Sequence, residues 1–181
     1  MTRILTVSPN PVLDRTMVVP DLRLNEVLFS TATYLDPSGK GFNVSRALLG
    51  LGMESRAYGF MGGDTGAKLT RMLRKAGVDV HAVEVQEETR TNVVIADAAG
   101  RLHVKANEAG PNVTPQEAEV MFAMLAEDLQ AGDICVMTGS LARGIAPDFY
   151  ARLIALVHEK GGRAVLDASA EPLRQGISAR P

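Results

Sequence analysis

A single cysteine occurs in the 181 residues, tryptophan is absent, and aromatic side chains make up only 4%. One cysteine excludes a disulfide framework. Cys135 lies inside the apolar run Ile134-Cys135-Val136-Met137 and is expected to be a small buried hydrophobe in a cytoplasmic protein. No charge of one sign prevails: 19 Lys and Arg face 21 Asp and Glu. Without a long basic run, nucleic acid is not expected as a partner. No apolar run approaches the ~20 residues of a membrane-spanning helix, so no membrane partner is expected either. His81, His103 and His158 lack ligand spacing, and no metal site is predicted. Gly-x-Ser-x-Gly is absent, and no Ser–His–Asp or Cys–His pairing emerges.

What is present suits one sizeable α/β core with a small appendage. The strand-like run Ile4-Leu5-Thr6-Val7 begins at once, and no leader is expected. Strands are predicted at 16–20, 27–35, 56–60, 80–85, 92–97, 102–106, 134–138 and 163–167. Helices are predicted over about 43–51, from Gly63 to Gly77, from Pro115 to Leu129, and from Pro147 to Gly161. Thr114, Pro115 and Glu117 spell a capping box with proline at the first helical position. The strand–helix–strand unit at 133–167 implies a parallel pair covered on both faces. Strands at 16–35 and 80–106 have few helices between them and are expected to form a separate small sheet. No helix is expected between residue 167 and Pro181.

Four stretches fall where parallel strands end, the usual place for a ligand. In Asn10-Pro11-Val12-Leu13-Asp14, the Asp14 carboxylate offers two acceptor oxygens to neighbouring sugar hydroxyls; the alternative is a turn cap. In Ser38-Gly39-Lys40-Gly41-Phe42-Asn43, the glycines let backbone N–H groups converge at a helix start, and Lys40 adds charge. Asn43 can donate and accept, or simply cap the helix. The alternative is a glycine-rich turn with an exposed lysine. The loop is not a P-loop, because Gly41 stands where Ser or Thr is required, and it is not a dinucleotide fingerprint, because Val44 takes the third glycine position. In Thr89-Arg90-Thr91-Asn92, Arg90 presents a fork suited to phosphate, which Thr91 and Asn92 can supplement; the alternative is a solvated arginine paired with Glu87 or Glu88. In Thr138-Gly139-Ser140-Leu141, Ser140 can bind an oxyanion, or the segment is an ordinary turn. Asp167 ends the next strand with the same ambiguity.

In this order and spacing, the stretches resemble the pfkB branch of the ribokinase-like sugar kinases, nearest its 1-phosphofructokinase and tagatose-6-phosphate kinase members. Gly59-Phe60-Met61-Gly62, Asn107-Glu108-Ala109-Gly110-Pro111 and Leu166-Asp167-Ala168-Ser169 complete the match. The resemblance implies a three-layer sandwich with a mostly parallel sheet and a β-sheet lid that often pairs with a second subunit's lid. It implies that Asp14, Gly39, Lys40, Gly41 and Asn43 hold a sugar, that Arg90 holds its phosphate with Ser140 nearby, and that Mg2+ and ATP serve as donor. Ser38 replaces a common glycine, and Ala142-Arg143 replaces a usual Pro-Pro. The family's Gly-Ala-Gly-Asp and Asn-x-x-Glu motifs do not occur in these residues. By the resemblance, the catalytic base is expected beyond Pro181, and no residue of the chain is predicted to be catalytic. An N-terminal portion lacking the C-terminal part of the fold, incomplete for catalysis alone, is therefore expected. So are an unpaired sheet edge, uncovered apolar surface, and self-association or modest stability. The alternatives are a non-catalytic sugar-phosphate-binding or dimerising fragment, and a nucleoside or simple sugar kinase.

Overall fold

A computed structural model describes residues 2–181. The elements run β1 (Ile4–Ser8), β2 (Val12–Val19), β3 (Ala32–Ser38), α1 (Lys40–Gly50), β4 (Arg56–Gly62), α2 (Gly63–Lys75), β5 (Asp79–Val85), β6 (Thr91–Asp97) and β7 (His103–Asn107). They continue with α3 (Pro115–Asp128), β8 (Ile134–Thr138), α4 (Phe149–Glu159), β9 (Arg163–Asp167) and α5 (Ala170–Ser178). Five strands form a parallel sheet in the order β5-β4-β1-β8-β9, and four form a second sheet in the order β3-β2-β6-β7. In the second sheet β2 and β6 pair in parallel, while β2–β3 and β6–β7 are antiparallel.

Alternation along the central strands sorts side chains into two cores. Leu5, Val7, Tyr58, Phe60, Cys135 and Met137 point to the face covered by α3 and α4, where Met121, Leu125, Phe149, Leu153 and Val157 pack against them. Ala57 and Met61 point the other way, to Phe42 of α1 and Leu69 and Leu73 of α2. This is the expected three-layer sandwich. Cys135 is fully buried, and burial pushes its thiol up to about 12. The Thr114 capping box forms as read: Thr114 Oγ1 accepts from Glu117 N at 3.2 Å and Glu117 Oε2 accepts from Thr114 N at 2.7 Å.

Five expectations need correction. The strand at 80–85 joins β4 in the main sheet through the crossover helix α2, so the small sheet keeps only β6 and β7 from 80–106. The second strand starts at Val12 rather than 16, which puts Asp14 in the sheet opposite Asp36, and the third spans Ala32–Ser38 rather than 27–35. The first helix starts at Lys40, so Asn43 lies inside its first turn. The stretch between Asp167 and Pro181 is not helix-free: α5 occupies most of it, and Pro172 sits in its first turn, where a missing N–H costs nothing. Pro181 itself is exposed and belongs to no element. One further difference concerns coverage. On β8 only Cys135, Met137 and Thr138 are buried, while Ile134 and Val136 are half-buried, and on β9 Val165 is 48% exposed.

Candidate functional site

Chain connections from β1 run one way, to β4, and those from β8 run the other way, to β9, although β1 and β8 are neighbours. The crevice beyond their carboxyl ends is a topological switch point. Both small-sheet segments depart from carboxyl ends, β2–β3 after β1 and β6–β7 after β5, so the small sheet stands at that end.

The start of α1 is pressed into this end. Gly39 has φ 144°, and a Cβ there would sit 2.7 Å from Ser8 Oγ at the end of β1. A Cβ at Gly41 would lie 2.9 Å from the Val7 carbonyl. Glycine alone permits both contacts. Lys40 does not face the small sheet: its Nζ donates to Asp167 Oδ2 at 3.0 Å, and Thr138 Oγ1 donates to the same oxygen at 2.7 Å. The Thr138 hydroxyl, then Lys40, hold the Asp167 carboxyl below its ordinary pKa. Asn43 does not cap the helix; its Nδ2 donates to Ser38 Oγ at 3.4 Å.

Asp14 and Arg90 meet around the 10–14 segment. Asn92 Nδ2 donates to Asp14 Oδ1 at 2.9 Å, and Leu13 N donates to Arg90 O at 3.0 Å. The Arg90 guanidinium donates only to carbonyls: Nη2 to Asn10 O at 3.0 Å, Nη1 to Glu108 O at 3.3 Å and Nε to Pro11 O at 3.4 Å. The pairing of Arg90 with Glu87 or Glu88 is not found. Glu87 takes Arg143 Nη2 at 3.0 Å, and Glu88 accepts the Thr65 amide at 2.6 Å. Burial lowers the Arg90 pKa against the pull of Asp14, yet a guanidinium remains charged.

Two residues carry more of the crevice than the sequence revealed. Asn10 is buried and reaches across the switch point: its Nδ2 donates to Ala109 O at 3.3 Å and to Ser140 Oγ at 3.4 Å. Asn92, 5% exposed, anchors Asp14. The Oδ1 atoms of both have no hydrogen-bond partner. Only folding brings Asn10 to Ser140, 130 positions away. Arg90, Glu87, Glu108 and Arg143 line a cleft of about 410 Å³. A larger cavity of about 710 Å³ opens at the opposite, amino ends of β1 and β4, beside Arg3, Arg56 and Asp79, and none of the seven predicted residues lines it.

The pfkB family carbohydrate kinase model matches residues 10–180. The chain belongs to the pfkB family. It is 33% identical over 180 residues to a 1-phosphofructokinase of Rhodobacter capsulatus, covering 99% of this chain and 57% of that protein. It is 29% identical over 172 residues to a tagatose-6-phosphate kinase of Staphylococcus epidermidis, covering 95% of this chain and 55% of that protein. The phosphofructokinase-2 of Escherichia coli in complex with fructose-6-phosphate superimposes with a TM-score of 0.92 at 29% identity, over 99% of this chain and 59% of that one. The chain thus spans a little over half the length of these pfkB relatives, and its sandwich is the ribokinase-like fold of the family.

Proposed function

We propose that the chain binds a phosphorylated sugar at the switch-point crevice, as the acceptor side of a sugar-phosphate kinase of the 1-phosphofructokinase or tagatose-6-phosphate kinase type. One observation carries the reading: a partly buried guanidinium without a carboxylate partner stands next to a carboxylate held by Asn92. Arg90 offers its fork to the acceptor's phosphate. Asp14 accepts from two sugar hydroxyls, and Asn43 donates beside it. The backbone at Gly39 and Gly41 admits the sugar closely, and Ser140, held by Asn10, adds a donor. Lys40, turned to Asp167, orders the base of the crevice rather than the sugar.

Mg2+-ATP, when bound, supplies the γ-phosphoryl group that a sugar hydroxyl takes up as it loses its proton, which gives a bisphosphorylated sugar and ADP. Among the described residues no group of three or more His, Cys, Asp or Glu side chains converges as a cation site, and no residue of the chain is assigned to Mg2+. The residues up to Pro181 are assigned the acceptor side alone, and the general base that the family resemblance places beyond Pro181 is assigned to none of them. A second copy docking lid to lid also accords with this reading, since the lid and its loops expose Phe29, Tyr34, Leu102 and Val104. A cytoplasmic location goes with a soluble phosphosugar.

Calorimetric titration tests the proposal. Fructose 1-phosphate or tagatose 6-phosphate is expected to bind at least about tenfold tighter than the free sugar. Equal affinities would favour a simple sugar or nucleoside kinase and overturn the assignment of Arg90. A coupled assay with Mg2+-ATP then separates a turning-over kinase from a chain that binds the acceptor without transfer.

A further inference from the structure

We infer that Arg143 is a positioning residue: it clamps together the two segments that join the β6–β7 hairpin to the main body, and so holds Arg90 where the acceptor's phosphate would meet it. The choice of ligand rests on the acceptor-site reading; the clamp rests on hydrogen bonds alone. The hairpin leaves and rejoins the main body through residues 86–90, after β5, and 108–114, before α3. Arg143 lies on neither segment but in the β8–α4 connection, which also carries Ser140. Its Nη2 donates to Glu87 Oε2 at 3.0 Å in the first segment, and its Nε donates to Gly110 O at 2.9 Å in the second. The same Glu87 oxygen accepts the Asn112 amide at 2.7 Å, and the Arg143 carbonyl accepts the Val113 amide at 2.8 Å. Nε and Nη2 belong to one rigid planar fork. Dividing that fork between a carboxylate and a carbonyl fixes the spacing of the two segments. A lysine, a single point charge on a flexible stem, cannot do so.

The clamp bears on Arg90 from both sides. Glu87 stands three residues before Arg90 on the same segment. On the other segment the carbonyls of Glu108, Ala109 and Gly110 are taken in turn by Arg90 Nη1 at 3.3 Å, Asn10 Nδ2 at 3.3 Å and Arg143 Nε at 2.9 Å. Arg90 and Arg143 thus grip one short strap and line the same cleft. Gly144 shows how closely the β8–α4 connection is pressed against the strap's continuation: its φ is 80°, and a Cβ there would sit 2.3 Å from Val113 O. The Arg143 and Glu87 side chains are 58% and 50% exposed, so their ion pair adds little to stability. What the pair supplies is geometry, and a displacement of about 1 Å at a group that orients a ligand costs as much as ~100-fold.

Calorimetry and amide hydrogen exchange on Arg143→Ala test this. Affinity for fructose 1-phosphate is expected to fall about tenfold and affinity for fructose less than about twofold, while the melting temperature drops by no more than about 3 °C. The Asn112 amide, held by Glu87, and the Thr91 amide, held by Glu108 Oε2, should exchange about tenfold faster. The Gln86 amide, held by Glu117, should not change. Arg143→Lys keeps the charge without the double attachment and should lose nearly as much affinity as Arg143→Ala. Glu87→Ala should also weaken phosphosugar binding, and the double variant should lose no more than Arg143→Ala alone, because both substitutions open one clamp. Unchanged exchange at Asn112 and Thr91, equal losses for both sugars, or a lysine variant that binds like the parent each overturn the proposal. A parent that binds both sugars alike would instead sink the acceptor-site reading, and the exchange of Asn112 and Thr91 would still decide the clamp.

Discussion

The two ends of the parallel sheet differ in how completely their polar groups are paired. At the amino ends nearly every charge is answered. Arg3 meets Asp133 at 2.6 Å, Arg56 meets Asp128 at 2.6 Å, and the Tyr58 hydroxyl donates to the other Asp128 oxygen. His81 stacks on Tyr58 at 5.0 Å and lies 3.1 Å from Asp79. At the carboxyl ends Lys40 meets Asp167 and Arg143 meets Glu87, both at 3.0 Å, but Arg90 finds only carbonyls, and the Oδ1 atoms of Asn10 and Asn92 find nothing. Buried polar atoms are ordinarily satisfied, and two of the three orphans among the described residues lie near one guanidinium, which supports the acceptor-site proposal; the third, Asp97 Oδ2, lies 3.5 Å from Arg101 at the far end of β6. The saturated end ties β1, β4, β5, β8 and α3 together and owes its composition to stability.

The sharpest way to break this contrast is Arg90→Ala. Charge-assisted hydrogen bonds contribute roughly 1.5–3 kcal/mol, so the variant is expected to lose about 100-fold in phosphosugar affinity by calorimetry. Affinity for the free sugar should change less than about threefold. Arg90→Lys keeps the charge without the fork and should fall between. Equal losses for both ligands would mean that Arg90 serves only to hold the Asn10, Pro11 and Glu108 carbonyls, and the carboxyl end would then be as structural as the other.

At the amino end the expectation reverses: stability moves and binding stays. Burial works against the Asp128 carboxylate, but the Tyr58 hydroxyl and the Arg56 guanidinium outweigh it and hold its pKa below the ordinary value. Burial opposes the Asp133 carboxylate too, and Arg3 outweighs it there. Folded values below unfolded ones mean that these groups stabilise fully above the unfolded pKa of about 4 and lose that contribution as pH falls through the folded value. Thermal melts should therefore weaken with acidification below about pH 4. Asp128→Asn should cost about 1–3 kcal/mol at neutral pH and flatten that acid slope. Phosphosugar affinity should be unchanged. A steep acid slope that survives in the variant would place the titrating groups elsewhere.

Legibility in the sequence followed the range of the signal. The capping box at Thr114, the strand around Cys135 and the glycines at the start of α1 were readable because each is a local requirement of backbone or burial. Sheet membership was not local. The run at 80–85 reads as a strand in either sheet, and only the crossover through α2 assigns it to β4. The partners of Arg90 misled for the same reason. Glu87 and Glu88 are its neighbours in sequence, yet Arg143, 56 positions from Glu87, claims one of them. Asn10 stood in view inside a motif, but its bridge to Ser140 depends on β1 and β8 lying side by side. The helix α5 was not expected, yet Pro172 falls in its first turn, where proline is tolerated.

The mildest test asks whether saturation, rather than position, decides what a polar group does. The Thr114–Glu117 box lies between the small sheet and α3, on the same side of the molecule as the crevice, and it is fully satisfied. Glu117 also ties the end of β5, accepting the Gln86 amide at 2.8 Å, and backbone and side-chain bonds outweigh burial to keep its carboxyl below the usual range. Thr114→Ala removes one cap acceptor, and helix caps of this kind are worth about 1 kcal/mol. Denaturant unfolding should show that loss with an unchanged slope, while phosphosugar affinity stays within about twofold of the parent. A Thr114→Ala variant that binds much more weakly would mean that satisfied groups on this side also shape the acceptor crevice, and the division between the two ends would be one of place alone.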